Sequence, residues 1–262
     1  MRPRAKKNLN TRIDRCSFLL VEDPASRKGN WRGGKKELRL EIGCGKGSFI
    51  CEMARRHPDV LFVGLECVRN VIVLAMEKAA EAGLENVLFV CGNARSLADY
   101  FEEGELDRIY LNFSDPWPKS RHVKNRLTSD SYMPLYIKLL KERGSLIQKT
   151  DNRPLFDYSL SVYEEFGCEL KGVTFDLHGT CGNEGPEAVD FSEESGKDSL
   201  EVITEYETRF MGLGVPICRA EAVMPPKESV ADRILQCEAA LREQNEAARV
   251  GRKRLERSRA EN

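Results

Sequence analysis

Residues 109–127 hold the side chains whose types and spacing point most directly to chemistry. The apolar run Ile109–Leu111 predicts a strand, and Asp115 follows it, directly before Pro116-Trp117-Pro118. Because proline removes backbone donors and forbids a helix, Asp115 should be held in place just after the carboxyl end of that strand. An acid-free basic segment comes next and contains Lys119, Arg121, His122, Lys124, Asn125 and Arg126. One carboxylate, one indole and dense positive charge suit an anionic, aromatic substrate such as a nucleotide in RNA. The structural alternative is a stiff loop whose tryptophan packs on the core beside a solvated basic face.

Alternating strands and helices, beginning at Glu37, determine where these residues lie. The predicted strands are Leu38–Ile42, Leu61–Leu65, Val87–Cys91, Leu106–Leu111 and Ser145–Lys149. The predicted helices are Ser48–His57, Val68–Gly83, Leu97–Glu102, Ser131–Arg143 and Arg153–Phe166. Two last strands, Gly172–Leu177 and Val202–Phe210, are expected to form an antiparallel hairpin. The pattern predicts an α/β fold with a doubly wound, mostly parallel seven-stranded sheet and helices on both faces. Such sheets bind ligands at the carboxyl ends of their strands.

A glycine turn follows the first predicted strand, in the sequence Glu41-Ile-Gly43-Cys-Gly45-Lys-Gly47. A dinucleotide fingerprint needs its third glycine three places after the second, and Ser48 holds that place here. The acid two residues before Gly43 would repel a pyrophosphate but can accept hydrogen bonds from an ammonium group. The turn therefore favours S-adenosylmethionine, a zwitterion without phosphate, over a nicotinamide cofactor.

Polar side chains also follow the other predicted parallel strands. Glu66 ends the second strand, where a carboxylate can accept hydrogen bonds from both ribose hydroxyls, and Asn93 after the third is placed for the edge of an adenine. Asp151 follows the fifth strand at the same edge. Each alone is more typical of a helix cap. Together with Glu41 and Asp115 they predict one binding crevice.

Composition limits the classes of protein to which the chain can belong. The 262 residues are 41% apolar and 32% charged, which predicts a soluble, globular protein. No apolar run approaches the roughly 20 residues of a membrane span, and no signal peptide is evident, so a cytoplasmic location is expected. Nine cysteines without a Cys-x-x-Cys pair and three histidines provide no metal-ligand spacing. We expect reduced cysteines and no metal.

Charged residues are distributed unevenly along the chain, although its net charge is only −1. Residues 1–40 carry 12 lysines and arginines against 4 acids, whereas residues 184–201 carry 7 acids against one lysine. We predict a basic N-terminal arm over residues 1–36, a catalytic domain over 37–217 and a helical, basic extension over 218–262. The acidic loop 179–199 is expected to be a solvated insertion.

Several motifs together resemble the tRNA (guanine-N7-)-methyltransferase family. They are Leu-Glu-Ile-Gly-Cys-Gly-Lys-Gly, Val-Gly-Leu-Glu66, Cys-Gly-Asn93-Ala94, Asn-Phe-Ser-Asp115-Pro-Trp-Pro-Lys-Ser-Arg-His, Lys149-Thr150-Asp151-Asn152 and Thr204-Glu-Tyr-Glu207-Thr-Arg-Phe. The likeness spans about residues 2–217. It implies a Rossmann-like methyltransferase fold, S-adenosylmethionine as cofactor with S-adenosylhomocysteine as product, and methylation of a guanosine in the variable loop of tRNA.

The same resemblance implies roles for individual residues. The cofactor would contact Glu41, Gly43, Gly45, Gly47, Glu66, Asn93, Ala94 and Asp115, and the carboxylate of Asp115 would also lie in the catalytic site as its catalytic residue. The substrate would contact Lys119, Asp151, Thr204, Glu205, Tyr206 and Glu207. The RNA would contact Arg121, His122, Lys124, Asn125 and Arg126. Asn125 stands where the family usually has another basic residue, and Cys67-Val68 lacks the basic residue that some members carry there.

Other functions remain open from the sequence. A methyltransferase for an exocyclic base amine would be expected to carry an uninterrupted Pro-Pro, whereas Trp117 separates the prolines here. A non-catalytic RNA-binding module on the same fold and a nicotinamide enzyme are further alternatives. The sequence does not distinguish a monomer from a homodimer, and it does not indicate which tRNAs are used.

Overall fold

The computed structural model describes residues 8–179, 198, 200–237 and 239–240. Its strands are β1 (Glu37–Ile42), β2 (Val60–Glu66), β3 (Val87–Cys91), β4 (Leu106–Asn112), β5 (Leu140–Thr150), β6 (Glu169–Thr174) and β7 (Cys218–Val223). Its helices are α1 (Leu9–Arg15), α2 (Ser48–Arg56), α3 (Arg69–Glu81), α4 (Leu97–Tyr100), α5 (Met133–Leu139), α6 (Arg153–Glu165) and α7 (Glu205–Met211). Residues 231–237 and 239–240 are also helical.

The seven strands form one sheet in the order β3-β2-β1-β4-β5-β7-β6. Strands β1 to β5 pair in parallel, while β7 runs antiparallel to both β5 and β6. The chain order reverses between β1 and β4, and doubly wound sheets bind ligands beside such a switch point. The predicted fold class is confirmed.

Strand alternation directs the two faces of β1 to different layers. Leu38, Leu40 and Ile42 join the apolar cluster that contains residues of α4, α5 and α6. The opposite face packs against a second cluster built on α1, α2 and α3. Since successive strand residues point to opposite faces, Glu41 lies on the side of α2 and α3, at the strand end nearest the glycine turn.

The last strand of the sheet is not where the sequence analysis placed it, and this prediction was wrong. Residues 205–211 form helix α7, whereas a strand was predicted over Val202–Phe210. The Thr204 side chain accepts a hydrogen bond from the Glu207 N–H, and the Glu207 side chain accepts one from the Thr204 N–H. This capping box stabilises a helix start in spite of the alternating β-branched and aromatic residues. The strand that pairs with β5 and β6 is Cys218–Val223, so the sheet extends past residue 217.

Helix α5 ends earlier than its apolar pattern predicted. It stops at Leu139, and β5 begins at once and includes an irregular register opposite Leu106 and Arg108. Arg143 has a φ of 56°, the left-handed conformation that lets the chain turn before Gly144. The prediction of a helix through Arg143 was therefore wrong.

The described part of the N-terminal arm packs against the domain. Arg12 forms an ion pair with Glu77 of α3, and Trp31 is 1% exposed. The Trp31 indole donates to the Tyr100 carbonyl at 2.8 Å and stacks on Phe101 with ring centroids 5.1 Å apart. Residues 1–7, nearly all of the acidic loop 179–199 and the basic tail after residue 240 lie outside the described residues. The division of the chain at residues 36 and 217 stays a prediction.

Candidate functional site

A cavity of about 510 Å³ opens where β1, β2 and β4 end. Its walls come from the glycine turn, the first residues of α2, the end of β4 and the start of α7. The lining residues are Glu41, Gly43, Cys44, Gly45, Lys46, Ser48, Phe49, Glu66, Val71, Asn112, Phe113, Thr204, Glu205, Tyr206 and Arg209. Seven residues predicted for cofactor or substrate therefore meet in one cavity: Glu41, Gly43, Gly45, Glu66, Thr204, Glu205 and Tyr206.

Glu41 lies in the cavity wall with half of its carboxylate unpaired. It is 3% exposed, and the Asn112 side-chain amide donates to its Oε1 at 2.8 Å. Its Oε2 has no hydrogen-bond partner among the described residues. Burial raises the pKa of the Glu41 carboxyl to about 8, although the Asn112 hydrogen bond and the charge of Lys149 oppose that rise. A ligand that donates a hydrogen bond to Oε2 would satisfy this buried acceptor.

Glu66 is fixed by backbone donors on both carboxylate oxygens. The Gly45 N–H donates to Oε2 at 3.2 Å, and the Val68 N–H donates to Oε1 at 2.9 Å. These two bonds tie the glycine turn to the end of β2 and orient the carboxylate. Cys67 Sγ also donates to Oε1, at 3.6 Å, so Oε2 is the oxygen that keeps a second lone pair for a ligand hydroxyl.

Gly47 allows the glycine turn to approach α3 closely. Its φ is 77°, and a Cβ at this position would lie 2.6 Å from the Ala75 Cβ. Gly47 is buried and is not among the residues that line the cavity. Its place in the structure thus explains a packing role; a direct cofactor contact stays a prediction.

Helix α7 closes one side of the cavity through contacts with the glycine turn and α2. Glu205 accepts from Lys46 Nζ at 2.8 Å and from Ser48 Oγ at 3.0 Å. Tyr206 stacks on Phe113, with ring centroids 5.8 Å apart, and remains 58% exposed. The start of α7 therefore places both a carboxylate and an accessible aromatic ring at this site.

Glu207 is fully buried and anchors α7 from below. Its Oε1 accepts from Lys149 Nζ at 2.8 Å and lies 3.1 Å from His178 Nε2. Burial favours a higher pKa for the Glu207 carboxyl, but the hydrogen bond from His178 and the charge of Lys149 outweigh it and hold that pKa below its ordinary value. We assign Glu207 to positioning α7; its contact with the substrate stays a prediction.

The Pro-Trp-Pro loop is held by contacts of its own. Arg126 donates to the Pro116 carbonyl at 3.0 Å and to the Trp117 carbonyl at 3.3 Å, and its guanidinium lies 4.5 Å from the centre of the Tyr158 ring. Trp117 stacks on His122 with ring centroids 5.6 Å apart. Arg126 and His122 thus shape the loop, and their contact with RNA stays a prediction.

The remaining predicted residues lie outside the cavity wall. Asp115 is exposed, two residues beyond Phe113, and Asp151 is half-buried after β5. Asn93 is exposed and its Oδ1 accepts from the Arg95 N–H, while Ala94 is buried. Asn125 Oδ1 accepts from Arg95 Nη2 at 3.3 Å. Three basic side chains are exposed: Lys119, Arg121 and Lys124.

Sequence reasoning missed several residues that complete the site. Asn112 orients Glu41, Phe113 supports Tyr206, and Lys149 pairs with Glu207. Asn112 and Phe113 stand directly before Ser114-Asp115, and a lysine inside an otherwise apolar strand is itself a signal of a buried partner. Those signals were present in the chain, but they do not identify the partners.

Metal and membrane features can be stated for the described part of the chain. Within it, three or more His, Cys, Asp or Glu side chains do not gather in a group able to hold a metal ion. None of the helices in those same residues has the length and apolar character to cross a membrane.

Comparison with known proteins gives consistent similarities. The family described as "Putative methyltransferase" matches residues 35–220. The tRNA (guanine-N(7)-)-methyltransferase of Geobacillus kaustophilus is 43% identical over 232 residues, covering 87% of this chain and 100% of that protein. The protein of the same name from Lactococcus lactis subsp. cremoris is 40% identical over 231 residues, with coverage of 87% and 100%. A crystal structure of the 16S rRNA methyltransferase KamB is 15% identical, covers 74% of this chain and 91% of that chain, and has a TM-score of 0.52, a likeness of fold alone.

Proposed function

This chain belongs to the tRNA (guanine-N(7)-)-methyltransferase family, and we propose that it transfers a methyl group from S-adenosylmethionine to N7 of a guanosine in the variable loop of tRNA. It acts in the cytoplasm. The observation that carries the proposal is the cavity at the switch point, where the unpaired Oε2 of Glu41 and the backbone-fixed carboxylate of Glu66 share one wall. Both acceptors match hydrogen-bond donors of S-adenosylmethionine, namely its ammonium group and its ribose hydroxyls.

The residues present fit S-adenosylmethionine, which supplies an electrophilic methyl group on a sulfonium. Glu41 would accept from the ammonium group, and Glu66 would accept from the ribose hydroxyls. Gly43 and Gly45, both at positive φ in the cavity wall, leave the backbone free of side chains there. Glu41, two residues before Gly43, disfavours a pyrophosphate, which argues against a nicotinamide cofactor; a carboxylate at the position of Glu66 suits the ribose of either cofactor.

Guanine N7 carries an in-plane lone pair and no proton, so its attack needs no general base. The work of the protein is then positioning and electrostatics, with reacting atoms at about 3–3.5 Å. Asp115 would accept from the guanine N1–H and amino group and would offset the positive charge that develops on the ring. Its exposed position after β4 leaves it accessible to a base.

The tRNA would be held beside this site by the exposed cations of the loop that follows Asp115. Lys119, Arg121 and Lys124 are exposed, and Arg121 Nε donates to the neighbouring His122 Nε2 at 3.0 Å. Exposed cations of this kind bind phosphates with release of counterions. Asp151, Thr204, Glu205 and Tyr206 are the further substrate-contacting residues of the proposal.

Product analysis tests the proposed reaction. The protein is incubated with unmodified tRNA transcript and labelled S-adenosylmethionine, and the tRNA is digested to nucleosides. The label should appear in 7-methylguanosine from the variable loop. Label in an exocyclic amine of adenine or cytosine would support the rival methyltransferase instead. A calorimetric titration without binding of S-adenosylmethionine would favour the non-catalytic RNA-binding module.

A further inference from the structure

A second cavity, of about 340 Å³, lies between the basic loop and the C-terminal helical segment, which we define as residues 231–237 and 239–240. Its walls include Arg121, Lys124, Asp130, Tyr158 and Cys237. The volume is within the range of small-molecule sites, which is about 300–1,000 Å³. None of the residues that line the first cavity lines this one. It is therefore separate from the first cavity, although Arg121 and Lys124 belong to the basic loop described above.

The C-terminal helical segment is docked on the domain by packing and charge. Val230, directly before it, is buried, and Ile234 and Cys237 pack against the larger apolar cluster. Arg233 Nη2 lies 2.6 Å from Glu165 Oε2, and its guanidinium lies 5.3 Å from the centre of the Phe166 ring. The family match ends at residue 220, so this wall of the cavity lies outside the matched region.

Charges around the cavity favour an anion. Arg121 and Lys124 supply two cations, and Asp130 is the one carboxylate among the described lining residues. Arg233 Nη2 lies 3.7 Å from Asp130 Oδ2, so the C-terminal helical segment partly neutralises the group that opposes an anion. A further cation, Arg126, stacks over the ring of Tyr158. Hydroxyl donors are available from the lining residues Ser120, Ser131 and Tyr158.

We infer that this cavity binds a backbone phosphate of tRNA and that Arg233 tunes its affinity through Asp130. The inference rests on the proposed function, which supplies tRNA as the ligand and Arg121 and Lys124 as phosphate-binding residues. Lysine and arginine side chains with neighbouring hydroxyls are the usual partners of nucleic-acid phosphates. The C-terminal helical segment thus adds a contact surface to the loop that delivers the substrate.

Two charge changes of opposite sign test the inference. Arg233→Gln should weaken binding of unmodified tRNA transcript by about three- to tenfold at low salt, and Asp130→Asn should strengthen it by a similar factor. The matched controls are Lys227→Gln and Glu103→Gln, which remove the same charges from an ion pair with a 3.1 Å separation that does not line the cavity. Their affinities should stay within about twofold of the original. Equal shifts in the test and control variants, or no rise for Asp130→Asn, would overturn the inference.

Chemical protection of Cys237 provides a readout that does not depend on methyl transfer. Cys237 is half-buried and lines the cavity, so alkylation followed by mass spectrometry should show slower modification with saturating tRNA than without it. The protection should disappear in about 1 M salt, where electrostatic binding is screened. Unchanged alkylation alongside normal formation of 7-methylguanosine would exclude this site and leave the proposed function intact. Protection of Cys237 by tRNA without formation of 7-methylguanosine would support this site and contradict the proposed function.

Discussion

Lys149 Nζ lies 2.8 Å from Glu207 Oε1, and the two side chains are 1% and 0% exposed. Lys149 belongs to β5, in the middle of the sheet, and Glu207 belongs to the first turn of α7. The same turn places Glu205 and Tyr206 in the cavity wall. A buried ion pair therefore connects the sheet to the helix that completes the site.

Removing one member of this pair should be costly. Lys149→Met leaves the Glu207 carboxylate buried and without its cation, which typically costs about 3–5 kcal/mol. The free energy of unfolding from urea titration should fall by that amount. Lys46→Met is the matched control, since the Lys46–Glu205 pair is 57% and 50% exposed and such pairs contribute about 0–1 kcal/mol. Similar losses in the two variants would contradict a special role for the buried pair.

The raised pKa of the Glu41 carboxyl should be measurable in the pH dependence of the free energy of unfolding. Its pKa is raised from an ordinary 4.5 to about 8, so between these values the folded protein holds a proton that the unfolded chain releases. The stabilisation that comes from this bound proton is therefore fully present below about pH 4.5 and is lost as the pH rises toward 8. Relative to Glu41→Gln, the original protein should lose up to several kcal/mol of unfolding free energy across that window, since one pKa unit is about 1.4 kcal/mol. A pH-independent difference in urea unfolding would refute the raised pKa.

The cations of the loop after Asp115 should fall into two groups, one that binds phosphate and one that holds the loop in place. Lys124→Ala should weaken tRNA binding and reduce its salt slope by about one unit, because an exposed lysine acts on phosphate. Arg126→Ala removes the bonds to the Pro116 and Trp117 carbonyls, each worth about 1 kcal/mol, and should lower kcat by roughly tenfold or more. Arg126→Lys keeps the charge but not the paired donors, so it should not restore kcat. Full recovery of kcat in Arg126→Lys would show that only the charge matters.

Strand-end chemistry could be predicted from the sequence because it follows from local pattern. Glu41 and Glu66 each end an apolar run, and parallel strands bring such ends together. Helix α7 could not be predicted in this way, since Val202, Thr204 and Tyr206 alternate like a strand. Their conformation depends on the capping box and on the distant Lys149. The strand Cys218–Val223 was missed because its pairing with β5 joins segments far apart in the chain.

The contacts of individual side chains could not be predicted from the sequence either. The positions of Arg126 and His122 within a basic run predicted contacts with RNA, which stay a prediction, and did not indicate that both side chains hold the Pro-Trp-Pro loop. Both functions need the same residue types, and only the fold decides which neighbour lies within reach. Asn112 is a similar case, because its bond to Glu41 joins adjacent strands.

Asp115→Asn should separate chemistry from cofactor binding. The change removes the charge that would offset the methylated ring and halves the acceptor capacity, so kcat should fall by about 100- to 1,000-fold, as for other preorganised electrostatic groups. The affinity for S-adenosylmethionine, from calorimetry, should change by less than about tenfold. Single-turnover methylation at the original rate would remove Asp115 from the catalytic site.

The atom that receives the methyl group tests the central claim most directly. Two tRNA transcripts are compared in single-turnover reactions with labelled S-adenosylmethionine: one unmodified, and one with 7-deazaguanosine, which has C–H in place of N7, at the target position in the variable loop. The account predicts full labelling of the first transcript and none of the second, with equal binding of both. Labelling of the 7-deazaguanosine transcript at the original rate would contradict it, because the methyl group would then be going to a different atom.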